Sequence, residues 1–373
     1  MRQFIGVIAL AAVAVGLPAR LLAESSASSG VKPLRVAVVG LVHGHVAGFL
    51  AQALKRSDIQ VVGIAEPDQQ LAHRYASKFK LDPQLLYSDL EKMLTRVQPQ
   101  AVLVFTDTRD HRQVVEVAGR HRIPVMMEKP LAVSTEDALA IQRAANAAQI
   151  PVLVNYETTW YPSNAAVYNL VRSGALGEVR KVVVHDGHRG PKEIGVPPEF
   201  LVWLTDPARN GAGALFDFGC YGADLMTWLM EGATPITVTA VTQRLKPEVY
   251  PLVDDEATII LTYPKAQAII QASWNWPFDR KDMEVYGETG EVITVGHNDL
   301  RVRRKMGDQE QQQLAAALTA PYDDPISYLI AVVSGEVKAT GLSALDTNIT
   351  VIRILDAARE SARTGRTIRI TDH

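Results

Sequence analysis

Short apolar runs alternate with stretches of helical periodicity over the first part of the sequence. The run Leu34–Val39 is valine-rich and mostly apolar, which is typical of a strand buried on both faces. The following stretch, 45–54, places apolar residues three and four positions apart, as an amphipathic helix does. Six strand-like runs take part in this alternation, at 34–39, 60–65, 86–88, 101–105, 123–129 and 151–155. The order predicts an α/β fold whose N-terminal domain is a doubly wound parallel sheet.

Beyond Asn155 the pattern changes to alternating apolar and polar positions. Such alternation is typical of strands that have one buried face and one solvent-facing face. It occurs at 179–184, 237–243, 257–262, 266–273, 283–286 and 291–295. These segments predict a C-terminal α+β domain with an open, mostly antiparallel sheet. We therefore expect a first domain over 31–155 and a second over 156–373, after an N-terminal segment of residues 1–30.

The N-terminal segment has the pattern of a secretory signal peptide followed by a linker. Residues 1–3 carry a positive charge, 4–17 form an apolar run too short to span a bilayer comfortably, and 25–30 are small and polar. We expect cleavage near Ala27, with Ala23 as the second choice, and export to the periplasm or the extracellular space. An uncleaved membrane anchor is the alternative. Because no second long apolar run exists, no stable membrane insertion is expected after processing.

Composition narrows the functional classes. The 373 residues are 47% hydrophobic and 21% charged, which is ordinary for a globular protein of two domains. The net charge of −3 argues against a nucleic-acid partner. A single cysteine, Cys220, excludes an internal disulfide and a cluster of zinc thiolates. No metal is predicted, because neither His43 with His45 nor His185 with His188 has the spacing of two ligands on one helical face.

A strand, a glycine turn, a helix, a second strand and an acid follow one another from Leu34 to Glu66. This order is the dinucleotide-binding unit of a Rossmann domain, in which backbone N–H groups of the turn face a diphosphate. Gly40 and Gly44 lie in the turn. Glu66 would accept hydrogen bonds from the adenosine ribose, and because its carboxylate repels a 2′-phosphate we expect NAD rather than NADP.

The turn departs from the usual glycine pattern. Val42 and His45 hold the positions of the second and third glycines, which normally allow a close approach to the phosphates. His43 or His45 could donate a hydrogen bond to a phosphate instead. Each could equally be a histidine satisfied within the turn.

A lysine lies where the fifth predicted strand ends, in Glu128-Lys129-Pro130. Lysine is rarely buried without a partner, and Pro130 stops further strand pairing, so the chain must turn directly after the ammonium group. Ligands of open parallel sheets bind outside the carboxyl ends of the strands. Glu128 and Lys129 are therefore expected at the edge of a binding crevice, although a solvated Glu-Lys turn would have the same sequence.

The second domain carries two further polar clusters. Asp217, Tyr221 and Asp224 are four and three positions apart, which would place them on one face of a helix, either as site residues or as acids capping its first turn. The run 156–162 is dense in aromatic groups and fits either a sugar-contacting surface or interdomain packing. The residues expected to contact substrate are Tyr156, Trp160, His188 and Trp203.

Together these motifs resemble the Gfo/Idh/MocA family of NAD(P)-dependent sugar and polyol oxidoreductases. The resemblance covers nearly the whole chain from about Leu34 onward. The matching segments are 128–132, Thr106 followed by His111, Gly177, 211–213, 217–221 and 348–370.

The resemblance implies that Lys129 is the catalytic lysine and that Tyr221 occupies the acid/base position, with Asp217 orienting the pair. Many members have histidine at the position of Tyr221. With tyrosine at this position, the chain resembles the branch of glucose-fructose oxidoreductase and dihydrodiol dehydrogenase. A nearby Lys129 is expected to lower the pKa of the phenol. The residues expected to bind the cofactor are Gly40, His43, Gly44, His45, Glu66, Thr106, His111, Glu128 and Lys129.

The predicted function is hydride transfer between bound NAD and a hydroxyl of a sugar or glycoside. Relatives often form homo-oligomers through the C-terminal sheet, which makes the same assembly an expectation for this chain. Two alternatives stay open on the same fold. One is a glycoside hydrolase that uses tightly bound NAD without net oxidation, and the other is a non-catalytic sugar sensor, against which the retention of Lys129 and Tyr221 argues.

Overall fold

The structure, a computed structural model, describes residues 32–370. The predicted signal peptide and its linker lie outside the described residues and stay a prediction. Within the described range, none of the helices is both long and apolar enough to cross a membrane.

A six-stranded parallel sheet forms the N-terminal part of the fold. Its spatial order is β3-β2-β1-β4-β5-β6, so the order of strands reverses between β1 and β4. The strands are β1 Leu34–Val39, β2 Ile59–Ala65, β3 Leu86–Tyr87, β4 Ala101–Val104, β5 Val125–Glu128 and β6 Val152–Asn155. In doubly wound folds, ligands bind at such a reversal, outside the carboxyl ends of the strands. The predicted fold class is confirmed for this part.

Helices connect these strands, and three of the five begin at a side-chain cap. They are α1 Val46–Ala53, α2 Gln69–Phe79, α3 Leu90–Val97, α4 His111–Arg120 and α5 Thr135–Ala148. Side chains of Asp68, Asp89 and Ser134 accept backbone N–H bonds at the starts of α2, α3 and α5, which satisfies donors that a helix start leaves free. α1 has no such side-chain cap. α4, which follows β4, also lacks one.

A nine-stranded sheet forms the second part, in the order β14-β13-β12-β11-β7-β10-β9-β8-β15. Its strands are β7 Val179–Gly187, β8 Thr237–Gln243, β9 Glu256–Thr262, β10 Gln267–Ser273, β11 Arg280–Gly287, β12 Glu291–Thr294, β13 Asp299–Arg303, β14 Gln311–Leu314 and β15 Ile368–Arg369. Only β7 and β10 pair in parallel, so the prediction of a mostly antiparallel sheet is confirmed. The sequence analysis missed β13, β14 and β15: β13 has only two apolar positions, Leu300 and Val302, β14 is polar, and β15 is two residues long.

The remaining helices are α6 Pro162–Arg172, α7 Pro198–Leu204, α8 Pro207–Asn210, α9 Ala214–Asp217, α10 Gly219–Leu229, α11 Pro325–Val333 and α12 Leu345–Thr364, with 3₁₀ turns at Pro83–Leu85, Glu157–Trp160 and Gly341–Ser343. α10 is buried along nearly its whole length, and α12 buries one face. Both helices pack on the alternating buried positions of the nine-stranded sheet. Its second face stays partly exposed, with a mixture of polar and apolar side chains.

α11 belongs to the predicted second domain but packs on the sheet of the first domain. Its buried residues Ile326, Leu329 and Val332 belong to the same apolar cluster as Val36 and Leu103 of the first sheet. The division at residue 155 therefore separates the two sheets but not the two cores. Residues from late in the chain complete the covering of the first sheet.

The spacing predicted that Asp217 and Tyr221 lie on one helix, and this prediction is wrong. α9 ends at Asp217 and α10 begins at Gly219. Phe218 separates the two helices. The start of α9 lies at Gly213, where an added Cβ would lie 1.8 Å from the backbone oxygen of Asp254. The Asp254 carboxylate also accepts hydrogen bonds from the N–H groups of Gly213 and Leu215, at 2.9 and 2.7 Å. The loop that precedes β9 thus fixes the start of α9, and with it the position of Asp217.

We expect Gly213→Ala to lower the free energy of unfolding by about 1–3 kcal/mol, because the new methyl group meets backbone that cannot rotate away. Thermal unfolding followed by circular dichroism measures this loss. Gly296→Ala is the matched control, since a Cβ there would enter open space. Equal unfolding temperatures for the two variants would contradict the steric argument.

Candidate active site

Lys129 and Asp217 form a buried ion pair that joins the two parts of the chain. The Lys129 Nζ lies 2.5 Å from Asp217 Oδ1 and donates a second hydrogen bond of 2.9 Å to the Asp217 carbonyl oxygen. Both side chains are less than a tenth exposed. Trp274 Nε1 donates to the other carboxylate oxygen at 2.9 Å. The ammonium that ends β5 is therefore held by a carboxylate from α9, as a buried lysine requires.

The pair holds both groups in their charged forms. Burial alone would lower the pKa of Lys129, but Asp217 outweighs this effect and raises it above its ordinary value. Burial would likewise raise the pKa of Asp217, and Lys129 outweighs it so that the pKa falls below its usual range. An ammonium and a carboxylate are therefore both present at neutral pH in a site almost closed to water.

Tyr221 lies beside this pair, as the sequence analysis expected. The Lys129 Nζ is 5.0 Å from the centre of the Tyr221 ring. Tyr156 packs edge-on against the same ring at 5.5 Å between centroids, and its own hydroxyl donates to Asn348 Oδ1 at 2.9 Å. Tyr221 is 1% exposed. The phenol is therefore fixed in place by groups that come from both parts of the fold.

The expectation that Lys129 lowers the pKa of Tyr221 is wrong for this structure. Burial raises the pKa of the phenol well above its ordinary value, and the negative charges of Glu157, Asp217 and Glu128 add to the rise. Asp217 neutralises the nearby ammonium at short range. The phenol is therefore protonated in the resting site.

A second lysine, which the sequence analysis did not single out, also reaches Tyr221. The Lys281 Nζ on β11 lies 4.9 Å from the centre of the ring. Lys281 forms an ion pair with Glu157 in the 3₁₀ turn that follows β6. Neither residue stands out in the sequence, because a lysine and a glutamate on the polar faces of distant elements resemble ordinary surface charges.

The glycine turn after β1 is tied to the acid after β2. Gly40 adopts a left-handed conformation with φ of 80°, and an added Cβ would lie 2.7 Å from Thr106. Glu66 accepts hydrogen bonds from the N–H groups of Leu41 and Asp68, at 2.7 and 2.9 Å. Burial raises the pKa of Glu66. The acid expected to face a ribose therefore also holds the turn that would face the diphosphate.

His43, His45 and Glu128 meet at the start of α1. His45 Nδ1 lies 3.0 Å from Glu128 Oε2, and the Asn155 amide donates to the other carboxylate oxygen at 3.1 Å. Burial alone would raise the pKa of Glu128, but His45, His43 and Asn155 hold it at about 2. One ligand atom from each of the three residues lies within 4.8 Å of the others, close enough for them to share a metal ion. Burial keeps His43 neutral by lowering its pKa well below the ordinary value.

Two of the residues expected to bind the cofactor, Thr106 and His111, also make hydrogen bonds to backbone carbonyl groups. The Thr106 hydroxyl donates to the carbonyl of Asp107 at 2.9 Å. His111 is 1% exposed, and its Nδ1 lies 3.3 Å from the carbonyl oxygen of Leu131. His111 therefore braces the turn that carries Lys129.

The residues at the strand ends fit a dinucleotide. Gly40 supplies the tight turn and the close approach of β1 to β4, and Glu66 supplies a carboxylate at the end of β2. His45 is about half exposed at the start of α1. Val42 is the departure from the usual pattern, and its carbonyl accepts a hydrogen bond of 3.3 Å from the indole of Trp203.

A cavity of about 340 Å³ opens beside these groups. His45, Glu128, Asn155, Glu157 and Trp160 contribute polar and aromatic lining to it. The Trp160 indole donates to Asn155 Oδ1 at 3.0 Å, which fixes the plane of the ring. Trp160, predicted to contact substrate, thus lines a cavity, whereas Tyr156 is fully buried behind Tyr221.

The two other predicted substrate residues are separated by the fold. His188 packs edge-on against Phe218 at 4.8 Å, on the side of the Lys129–Asp217 pair. Trp203 lies instead on the glycine turn, where it and Phe200 cover His43 at centroid distances of 5.6 and 4.6 Å. Of these two, His188 is the one close to Lys129 and Asp217.

Two buried carboxyls complete the surroundings of the site. Asp186 and Asp224 are fully buried, and neither has a hydrogen-bond partner for its carboxyl oxygens among residues 32–370. Burial raises the pKa of both well above the ordinary value, so each is a neutral acid. Asp186 lies opposite Lys281 in the register of β7 and β11. Asp224, which was expected to share a face with Asp217, belongs to the core of α10.

Comparison with known proteins finds oxidoreductases of similar sequence and fold. D-apiose dehydrogenase of Rhizobium rhizogenes is 26% identical over 72% of this chain and 78% of its own length. Human trans-1,2-dihydrobenzene-1,2-diol dehydrogenase is 26% identical over 61% of this chain and 63% of its own length. The crystal structure of an inositol dehydrogenase homologue from Azotobacter vinelandii, solved with NAD+, superposes with a TM-score of 0.78 at 19% identity, covering 91% of this chain and 98% of that one.

Two family descriptions match adjoining parts of the chain. Residues 34–156 match the oxidoreductase family with an NAD-binding Rossmann fold, and residues 164–293 match the GFO/IDH/MocA C-terminal domain. The expected resemblance and the expected cofactor class are thereby confirmed at the level of the family. The chain belongs to the Gfo/Idh/MocA family of oxidoreductases, whose Rossmann domain binds NAD.

Proposed function

We propose that this protein transfers a hydride between bound NAD and a hydroxyl-bearing carbon of a sugar or glycoside, with Lys129 and Tyr221 as its catalytic residues. The observation that carries the proposal is the approach of the Lys129 ammonium, directly after β5, to within 5.0 Å of the centre of the Tyr221 ring on α10. The neighbouring Glu128 lines a cavity at the strand ends. The named activities of the relatives support the substrate class, since apiose is a sugar and the dihydrodiol carries two hydroxyl groups.

In the proposed mechanism the protein orients the substrate and moves one proton. The nicotinamide of NAD, when bound, supplies the hydride acceptor. Lys129 donates a hydrogen bond to the substrate oxygen, and Asp217 keeps the ammonium charged and directed. Tyr221 exchanges the hydroxyl proton. Because its phenol is protonated at rest, it is poised to donate in the reducing direction and needs a stabilised phenolate to accept in the oxidising direction.

The groups proposed to hold NAD follow the order of the strands. Glu66 would accept from the adenosine ribose, the turn from Gly40 to His45 would face the diphosphate, and Glu128 with Lys129 would lie at the nicotinamide end. A carboxylate at the Glu66 position repels a 2′-phosphate, which supports NAD over NADP. The burial of His43 beneath Phe200 makes His45 the better phosphate donor of the two.

We further propose that the protein acts outside the cytoplasm and assembles through the open face of its nine-stranded sheet. Export rests on the signal-peptide pattern of residues 1–27. Assembly rests on a broad sheet whose outward side chains are only partly exposed, such as Ile260 and Ile269.

Replacing Lys129 with methionine is expected to abolish turnover while NAD binding survives, because the ammonium acts on the reacting oxygen and the dinucleotide is held mainly elsewhere. Initial rates and a fluorescence titration with NADH measure the two properties. Lys265→Met, at an exposed lysine of the β9–β10 turn, is the control and should keep full activity. Full activity in the Lys129 variant would remove the lysine from the mechanism.

Tyr221→Phe should lose at least about 100-fold in kcat, the usual contribution of a positioned acid or base. The pH–rate profile should also lose the limb that belongs to the phenol. Tyr263→Phe is the matched control, because Tyr263 is buried in the turn after β9 and its hydroxyl has no hydrogen-bond partner in the described range. An unchanged profile in the Tyr221 variant would exclude the phenol as the acid/base.

Addition of sugars to purified protein tests the reaction class. A dehydrogenase carrying NAD should produce NADH in proportion to the enzyme, as measured by absorbance. Release of an aglycone from a glycoside without net NADH would identify the redox-neutral hydrolase instead. Absence of both responses, with sugar binding retained, would support the sensor.

A further inference from the structure

Two ammonium groups approach the ring of Tyr221. The Lys129 Nζ lies 5.0 Å from its centre and the Lys281 Nζ lies 4.9 Å from it. Cations within about 6 Å of an aromatic centroid interact with the ring, and they stabilise a phenolate far more than a phenol because that form carries a full negative charge. The protein thus places two positive charges at nearly equal distance from one titratable ring.

The two lysines differ in how firmly their charges are neutralised. Lys129 is 7% exposed and is bound by the carboxylate and the carbonyl of Asp217. Lys281 is 22% exposed, and its partner Glu157 is 49% exposed where the 3₁₀ turn lines the cavity. Water screens exposed pairs, and their mutual attraction is weak. The ion pair of Lys281 and Glu157 is therefore more easily loosened than that of Lys129 and Asp217, and loosening it changes the charge that Tyr221 experiences.

Glu157 has a direct effect on the phenol. After burial, its carboxylate is the largest influence that raises the pKa of Tyr221. Lys281 in turn outweighs the burial of Glu157 and lowers the pKa of that carboxyl. Titratable or charged groups reach the ring from every neighbouring element: Glu128, Lys129, Tyr156, Glu157, Asp217, Cys220 and Lys281. Within this set, Glu157 forms an ion pair with Lys281 and also lines the cavity.

We propose that Lys281 is a positioning residue for the acid/base step and that Glu157 controls it, so that this ion pair sets the protonation state of Tyr221. The inference rests on the proposed function only in naming the step that it serves. A substrate hydroxyl that takes a hydrogen bond from Lys281 or gives one to Glu157 loosens the pair and leaves more of the ammonium charge for the phenol. Proton acceptance by Tyr221 is then coupled to correct filling of the cavity.

The proposal predicts opposite shifts in two variants. Glu157→Gln keeps the shape of the side chain but frees the Lys281 charge, so the pKa of Tyr221 should fall by about one unit or more. Lys281→Met removes the cation and leaves the carboxylate, so the same pKa should rise. The double variant should titrate near the wild type. Lys281→Arg, which retains the charge, should stay close to the wild type.

Two measurements follow the shift. The first is the phenolate absorbance in the near ultraviolet, taken as the difference between each protein and its Tyr221→Phe counterpart, which needs no turnover. The second is the pH–rate profile of sugar oxidation, whose ascending limb should move to lower pH in Glu157→Gln and to higher pH in Lys281→Met. If no sugar is oxidised by any form, the proposed function fails while the absorbance titration still decides this inference.

Lys265 and Glu178 form the matched control, because they are an exposed ion pair far along the sheet. Lys265→Met and Glu178→Gln should leave the titration of Tyr221 unmoved. Lys281→Gln is a second variant in case the methionine form unfolds, and thermal unfolding is measured for each protein. Shifts of equal sign in the Glu157 and Lys281 variants, or an unmoved titration in folded forms of both, would overturn the proposal.

Discussion

The ion pair between Lys129 and Asp217 is the constraint on which the rest of the site depends. It joins the end of a strand in the first sheet to a short helix packed on the second, in a place that water scarcely reaches. Burying two charges costs several kcal/mol for each ion, and their attraction recovers this only when the remaining hydrogen bonds are made. The Trp274 indole and the Asp217 carbonyl make those bonds. The pair therefore specifies how the two parts meet more than it stabilises the fold.

This constraint explains why the phenol stays protonated. The Asp217 carboxylate, which keeps Lys129 charged, also acts on Tyr221, where its negative charge disfavours a phenolate. Burial of Tyr221 disfavours the phenolate as well. A close lysine is thus insufficient to make a base of a buried tyrosine. The pKa of the phenol depends on burial together with all the charges around the ring. This dependence is the reason for the role proposed for the more exposed pair of Lys281 and Glu157.

Much of the fold could be predicted from local pattern. The predicted run 34–39 coincides with β1, because strands buried on both faces must be continuously apolar. The position of Lys129 was predictable for a related reason, since proline ends the strand directly after it. The start of α9 could not be predicted, because it depends on Asp254, which is distant in sequence and accepts hydrogen bonds from the N–H groups of Gly213 and Leu215. Lys281 was missed for the same reason, since only the pairing of β7 with β11 carries it to the ring of Tyr221.

The path of α11 has a consequence for how the chain comes into being. Ile326, Leu329 and Val332 fill the core of the first sheet, although that sheet's last strand ends at Asn155. On the ribosome they emerge on the order of ten to thirty seconds after that strand, at five to twenty residues per second. Until then, part of the apolar surface of the first sheet is not covered. The first core therefore stays incomplete, and its apolar surface accessible to other proteins, while nearly half of the chain is being made.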